Sequence, residues 1–137
     1  MTNTRSTRFA AACLVLTMAW GGGASAQEAK VTPLMAEPLS AAGSPGKEGV
    51  MLLVEYPPGG STDQHRHNAD VFVYVLQGSI VMQVKGGPET TLVPGQTFHE
   101  GRDDIHAISR NASKTEPAKF VVFLVKDNGA PPVVPVQ

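Results

Sequence analysis

Residues Gly59 to Gly78 read GGSTDQHRHNADVFVYVLQG, and this stretch decides the fold. Its second half, Asp70–Gln77 (DVFVYVLQ), is dense in β-branched and aromatic residues and ends at Gly78, the pattern of a strand closed by a tight turn. Its first half carries His65-Arg66-His67. Residues two apart in a strand project from the same face, so both imidazoles can converge on one point; a helix would need a spacing of three or four. Outward from this core the same grammar repeats. Gly49–Tyr56 (GVMLLVEY) closes on Pro57-Pro58-Gly59-Gly60, and Ser79–Lys85 (SIVMQVK) follows Gly78. Gly86-Gly87-Pro88 turns the chain into Glu89–Val93, Pro94-Gly95 turns it again, and Ile105–Ser109 and Lys119–Lys126 (KFVVFLVK) supply the last strands. Short strands at regular spacing between Gly/Pro turns predict a single all-β domain, a sandwich or barrel.

The N-terminus follows a different logic. Arg5 and Arg8 precede an uncharged apolar run, Phe9–Trp20, then Gly21-Gly22-Gly23 and Ala24-Ser25-Ala26. That order is a secretory signal peptide over residues 1–26, too short to span a bilayer, which takes about 20 apolar residues. The mature chain is expected outside the cytoplasm, periplasmic or secreted, with no membrane anchor after cleavage. The expected organisation is an extended Pro/Gly-containing segment at 27–48, the barrel at 49–126 and a Pro-rich tail at 127–137, either laid over the barrel or loose.

Composition removes several chemistries. The chain of 137 residues holds 11 Lys+Arg against 12 Asp+Glu, and setting aside Arg5 and Arg8 leaves a net charge of −3. Without a basic patch, nucleic acid is excluded as a partner. The single Cys lies in the signal segment, so thiol nucleophiles, thiol redox chemistry and thiolate zinc sites are excluded from the mature domain. No G-x-S-x-G, H-E-x-x-H, phosphate loop or dinucleotide fingerprint occurs.

The stretch from Gly59 to Gly78 resembles the first motif of the cupin family, G-x5-H-x-H-x3-E-x6-G, with both glycines and both histidines at matching spacings. Pro94–Asn111 (PGQTFHEGRDDIHAISRN) resembles the second, G-x5-P-x-G-x2-H-x3-N, through Gly95 and His106. Gly101, Asp103 and Arg110 stand at its proline, second glycine and asparagine positions. The resemblance implies a double-stranded β-helix, or jelly-roll barrel. It also implies one divalent metal held by His65, His67 and His106, with identity open among Fe, Zn, Cu, Ni and Mn. The family's glutamate position is occupied by Val71, so a replacement oxygen is sought among Asp70, Glu100, Asp103 and Asp104, with His99 as a further ligand or a neighbour of the ligands. Strand parity sends Asp70 to the face opposite His65, His67 and Val71 unless a bulge near Asn68-Ala69 turns it inward.

Val71 and Val73 are expected to line the pocket, while Phe72, Tyr74 and Leu76 face outward. A strand apolar on both faces is covered on both, by a second copy in a homodimer or by residues 27–48. The resemblance implies metal-assisted chemistry, oxygen-dependent or Lewis-acid, on a small organic molecule. The alternative is a non-catalytic module that holds a small ligand or a metal.

Overall fold

The computed structural model describes residues 28–40 and 43–136, so the signal peptide expected at 1–26 lies outside the described residues. Eleven strands and no helix make up the described chain: β1 (Lys30–Pro38), β2 (Lys47–Tyr56), β3 (Ser61–Thr62), β4 (His65–Arg66), β5 (Asp70–Gln77), β6 (Ile80–Val84), β7 (Thr90–Leu92), β8 (Thr97–Glu100), β9 (His106–Asn111), β10 (Ala118–Asp127) and β11 (Val134–Pro135). One sheet runs β1-β2-β10-β5-β8; the other runs β11-β4-β9-β6-β7, with β3 also paired to β9. Strand neighbours are antiparallel and largely distant in sequence, the arrangement of a jelly roll.

The core forms between the sheets because the strands alternate. In β5, Val71, Val73 and Val75 are buried, while Phe72, Tyr74 and Leu76 stay about half exposed. Leu52, Val54, Phe120, Val122 and Leu124 meet the buried set from β2 and β10. Each such side chain contributes roughly 1.5–3 kcal/mol of burial free energy. Gly78 permits the β5–β6 reversal, with φ +69 and a hypothetical Cβ only 2.4 Å from the carbonyl oxygen of Pro117. A side chain there meets rigid backbone in a conformation that L residues avoid.

Both flanking segments join the sheets. β1 pairs with β2 along its length, at the sheet edge remote from β8, so it leaves the outer face of β5 uncovered. Beyond β10 the chain lies over the barrel. Buried Lys126 pairs with Glu48 and donates to the carbonyl of Ala130 at 2.6 Å, while the Gly129 amide donates to Glu48 at 3.1 Å. These contacts turn the tail back so that Val134 and Pro135 pair with Arg66 and His65.

Strand β8, which carries His99 and Glu100, is not signalled by the sequence. Its inward residues are Phe98 and Glu100, so a charge sits where an apolar alternation would continue. The short strand therefore does not look half-apolar.

Candidate metal centre

Four side chains meet between the sheets, and strand register explains the meeting. His65 of β4 and His106 of β9 are direct cross-strand partners, which places them on one face with ring centroids 5.0 Å apart. His67 follows β4 immediately, and its ring stands edge-on to that of His65 at 4.8 Å. The next residue, Asn68, has φ +50 and turns the chain into β5. Ligand atoms of His65, His67 and His106 all lie within 4.8 Å of one another.

The fourth side chain is Glu100. In the other sheet it is the direct partner of Val71, so both point inward from adjacent strands. Its Oε1 is 3.2 Å from His106 Nδ1, and its Oε2 is 3.7 Å from His67 Nε2. Glu100 is only 2% exposed, and no Lys or Arg pairs with it among the described residues. Burial pushes its carboxyl up to about 8, with help from the negative charge of Asp104. The same burial, with His65 and His67 alongside, drives His106 down to about 3; burial also lowers His67. Glu100, His67 and His106 are thus held neutral unless a cation enters.

Hydrogen bonds set the tautomers. His65 Nδ1 donates to the Asp63 carbonyl at 2.7 Å, and His67 Nδ1 donates to the Pro132 carbonyl at 2.6 Å. In the neutral rings this leaves the two Nε2 lone pairs facing each other, across 3.2 Å. Two lone pairs at that distance repel unless something positive lies between them. Nitrogens bound at about 2.0–2.1 Å to one tetrahedral ion stand about 3.3–3.4 Å apart, which fits this spacing. Glu100 Oε2 and both ring nitrogens of His106 are buried with no hydrogen-bond partner. Orphaned donors and acceptors of this kind, in a set of three imidazoles and one carboxylate, suit a divalent transition metal.

The other sequence candidates lie elsewhere. Asp70 and His99 are exposed on the outer face, 3.9 Å apart, with the His99 ring 5.0 Å from that of Phe72. Asp104 accepts from the Gly101 amide at 2.7 Å and shapes the turn before β9; Asp103 is exposed in the same turn. Val71 is buried beside Glu100 but is not on the cavity wall, whereas Val73 is.

A cavity of about 310 Å³ opens from the histidines into the barrel. Sequence reading did not single out Tyr56, Thr62 or Ser109 on its wall, nor the Pro132 carbonyl behind His67. Tyr56 simply ends an apolar strand in the sequence, and its role emerges only when β3 and β9 bring Thr62 and Ser109 to its hydroxyl.

The family model described as "Cupin domain" matches residues 52–124, more than half of the chain. A structure from Klebsiella pneumoniae, an uncharacterized conserved protein with a double-stranded β-helix domain, is 18% identical with a TM-score of 0.64, covering 82% of this chain and 88% of that one. The DMSP lyase DddQ from Ruegeria pomeroyi is 21% identical with a TM-score of 0.56, covering 63% of this chain and 42% of the lyase. Oxalate oxidase in complex with the substrate analogue glycolate is 24% identical with a TM-score of 0.60, covering 77% of this chain and 54% of the oxidase. This chain thus spans only about half the length of either enzyme, and at these identities the likeness is one of fold. No curated protein matches the sequence. On the family match, the barrel topology and the three converging histidines, the chain belongs to the cupin family.

Proposed function

We propose that this protein is an exported cupin that binds one divalent transition metal through His65, His67, His106 and Glu100, and uses it on a small organic molecule held in the adjoining cavity. The observation that carries the reading is the pair of Nε2 atoms facing each other across 3.2 Å, with both Nδ1 atoms donating to backbone carbonyls. Bound there, a divalent ion supplies Lewis acidity or, if redox-active, oxygen-dependent chemistry. The rest is the work of the protein's own groups. The carbonyls of Asp63 and Pro132 hold His65 and His67 in the ligating tautomer. Glu100 gives up its proton and contributes one negative charge, and Val54, Val73 and Phe120 form apolar wall beside the site. Likenesses to oxalate oxidase and DMSP lyase support small-molecule chemistry.

A second reading, a non-catalytic ligand-binding module, draws on Tyr56. Burial raises its hydroxyl pKa, so it serves as a hydrogen-bond donor rather than a base. The half-exposed Phe72, Tyr74 and Leu76 support a homodimer through the outer face of β5 in either case.

Elemental analysis of residues 27–137, purified from the exported fraction without an affinity tag or chelator, tests the metal reading. Near-stoichiometric metal that disappears in a His65→Ala/His67→Ala control supports it. A metal-free protein that also refuses added Zn, Cu, Fe, Ni and Mn refutes it.

A further inference from the structure

The C-terminal tail is fastened firmly at its root and lightly at its end. Beyond Gly129 the sequence runs Ala130-Pro131-Pro132-Val133-Val134-Pro135-Val136. Its prolines carry no backbone N–H, so the segment has few donors with which to build a ladder. Strand β11 is two residues long, stands at the end of its sheet and pairs with β4 alone. None of residues 130–136 is buried, so apolar contact adds little to the hold. The root is different. Lys126, 3% exposed, donates to the Ala130 carbonyl, and Glu48 takes both Lys126 and the Gly129 amide. Residues 131–136 are thus a weakly held strap on a firm base, at the low-stability end of the fold.

The strap meets the site twice. Val133 and Pro135 line the cavity, so an undocked strap opens the cavity on that side. The Pro132 carbonyl accepts from His67 Nδ1 at 2.6 Å. His65 finds its acceptor two residues away, at Asp63, whereas His67 depends on one 65 residues away. An imidazole that binds a cation through Nε2 is a stronger donor at Nδ1, and a hydrogen bond from a charged donor is roughly twice as strong as a neutral one. In the other direction, the docked carbonyl holds His67 in the tautomer whose Nε2 can ligate. Each event favours the other by the same factor, because coupling between two binding equilibria is reciprocal.

We propose that residues 131–136 are a metal-responsive strap, fastened across one side of the cavity through the His67 Nδ1–Pro132 carbonyl bond when a divalent ion occupies the three histidines, and released more readily when it does not. This inference rests on the metal reading above and adds a regulation of the same site. Access to the cavity past Val133 and Pro135 is freer before metal loading than after it.

The test is limited proteolysis of residues 27–137 by elastase, which cleaves after small apolar residues and reaches the Val133–Val134 bond only in an undocked strap. Cleavage is followed by mass spectrometry in chelator-treated and zinc-loaded protein, with metal content measured on the same samples. Cuts inside the barrel report global unfolding and are scored separately. When opening and closing are fast, the rate of the strap cut tracks the open population. Zinc is expected to slow that cut about 10–100-fold relative to the barrel cuts, the range for a hydrogen-bond partner of a ligating histidine. Magnesium, which imidazoles bind poorly, should leave it unchanged. By reciprocity, a chain ending at Ala130 should bind zinc more weakly by the same factor. If that shortened chain fails to fold, the wild-type comparison decides alone, since it needs no variant. A strap cut unmoved in fully zinc-loaded protein, slowing no greater than that of the barrel cuts, or a folded shortened chain with full zinc affinity overturns this inference and leaves the metal reading standing. A protein that takes up no zinc overturns both.

Discussion

Glu100 makes the stability of the metal-free protein depend on pH in a direction opposite to that of most carboxylates. Its carboxyl stands at about 8 in the folded chain against an ordinary value of 4.5. Between those values the folded state keeps a proton that the unfolded state has lost, so stability falls as pH rises, by about 1.4 kcal/mol per pH unit. His106 acts in the opposite sense. Held neutral down to about 3 against an ordinary 6.5, it makes stability fall as pH drops below 6.5. The two slopes oppose each other between pH 4.5 and 6.5, and Glu100 alone remains between 6.5 and 8. The loss across that upper window is about 2 kcal/mol, large enough for urea unfolding to resolve. The assay is equilibrium unfolding of the chelator-treated protein at half-unit pH intervals. Wild type should weaken from pH 6.5 to 8 and level off above. Glu100→Gln, which keeps the shape and removes the titration, should be flat over the same range. Parallel profiles for the two proteins would refute the assignment of a buried, unpaired carboxyl to Glu100.

Other expectations follow from single contacts. Truncation after Ala130 removes the Pro132 carbonyl that orients His67, together with β11; metal affinity measured by competition with a chromophoric chelator should drop about 10–100-fold. The far-UV circular dichroism of that variant should remain that of the barrel. Glu100→Val should lose at least tenfold in metal affinity, since the only inward carboxylate of the β5–β8 pair is gone, and the double variant Val71→Glu/Glu100→Val should recover most of it. Gly78→Ala should lower thermal stability by roughly 1–3 kcal/mol from the positive φ alone, with more from the approach to Pro117.

The fold was legible in the sequence because its signals are local. Alternating Val71, Val73 and Val75, the turn at Gly78 and the apolar run of β10 each declare themselves within a few residues. His65 and His67 are legible for the same reason, since a spacing of two already places them on one face. What is not legible depends on partners distant in the chain. Glu100 could be named only as one oxygen among several, because its place beside Val71 is a fact of the β5–β8 register. The tail's role was open between looseness and docking, and what decides it is the buried Lys126–Glu48 pair, whose partners are 78 residues apart. The hydroxyl cluster combines β2, β3 and β9, three strands whose individual sequences give no sign of meeting.

The valine at position 71 changes the meaning of the centre rather than abolishing it. Directly opposed residues of an antiparallel pair have Cβ atoms about 4.5–5.5 Å apart and share a face. A carboxylate moved from β5 to β8 at that register still enters the space between the sheets, and Glu100 does so within 3.2 Å of His106. The exchange has an electrostatic consequence. Val71, 1% exposed, lies beside the carboxylate as an apolar neighbour, and that surrounding contributes to the desolvation that holds Glu100 protonated. A metal must therefore displace a proton from Glu100 as it binds, and below about 8 each unit of rising pH makes that displacement easier. Apparent affinity should climb up to tenfold per pH unit between 6.5 and 8 in wild type, while Glu100→Gln shows a weaker dependence. A slope that is the same in both proteins would place the released proton elsewhere and remove Glu100 from the ligand set.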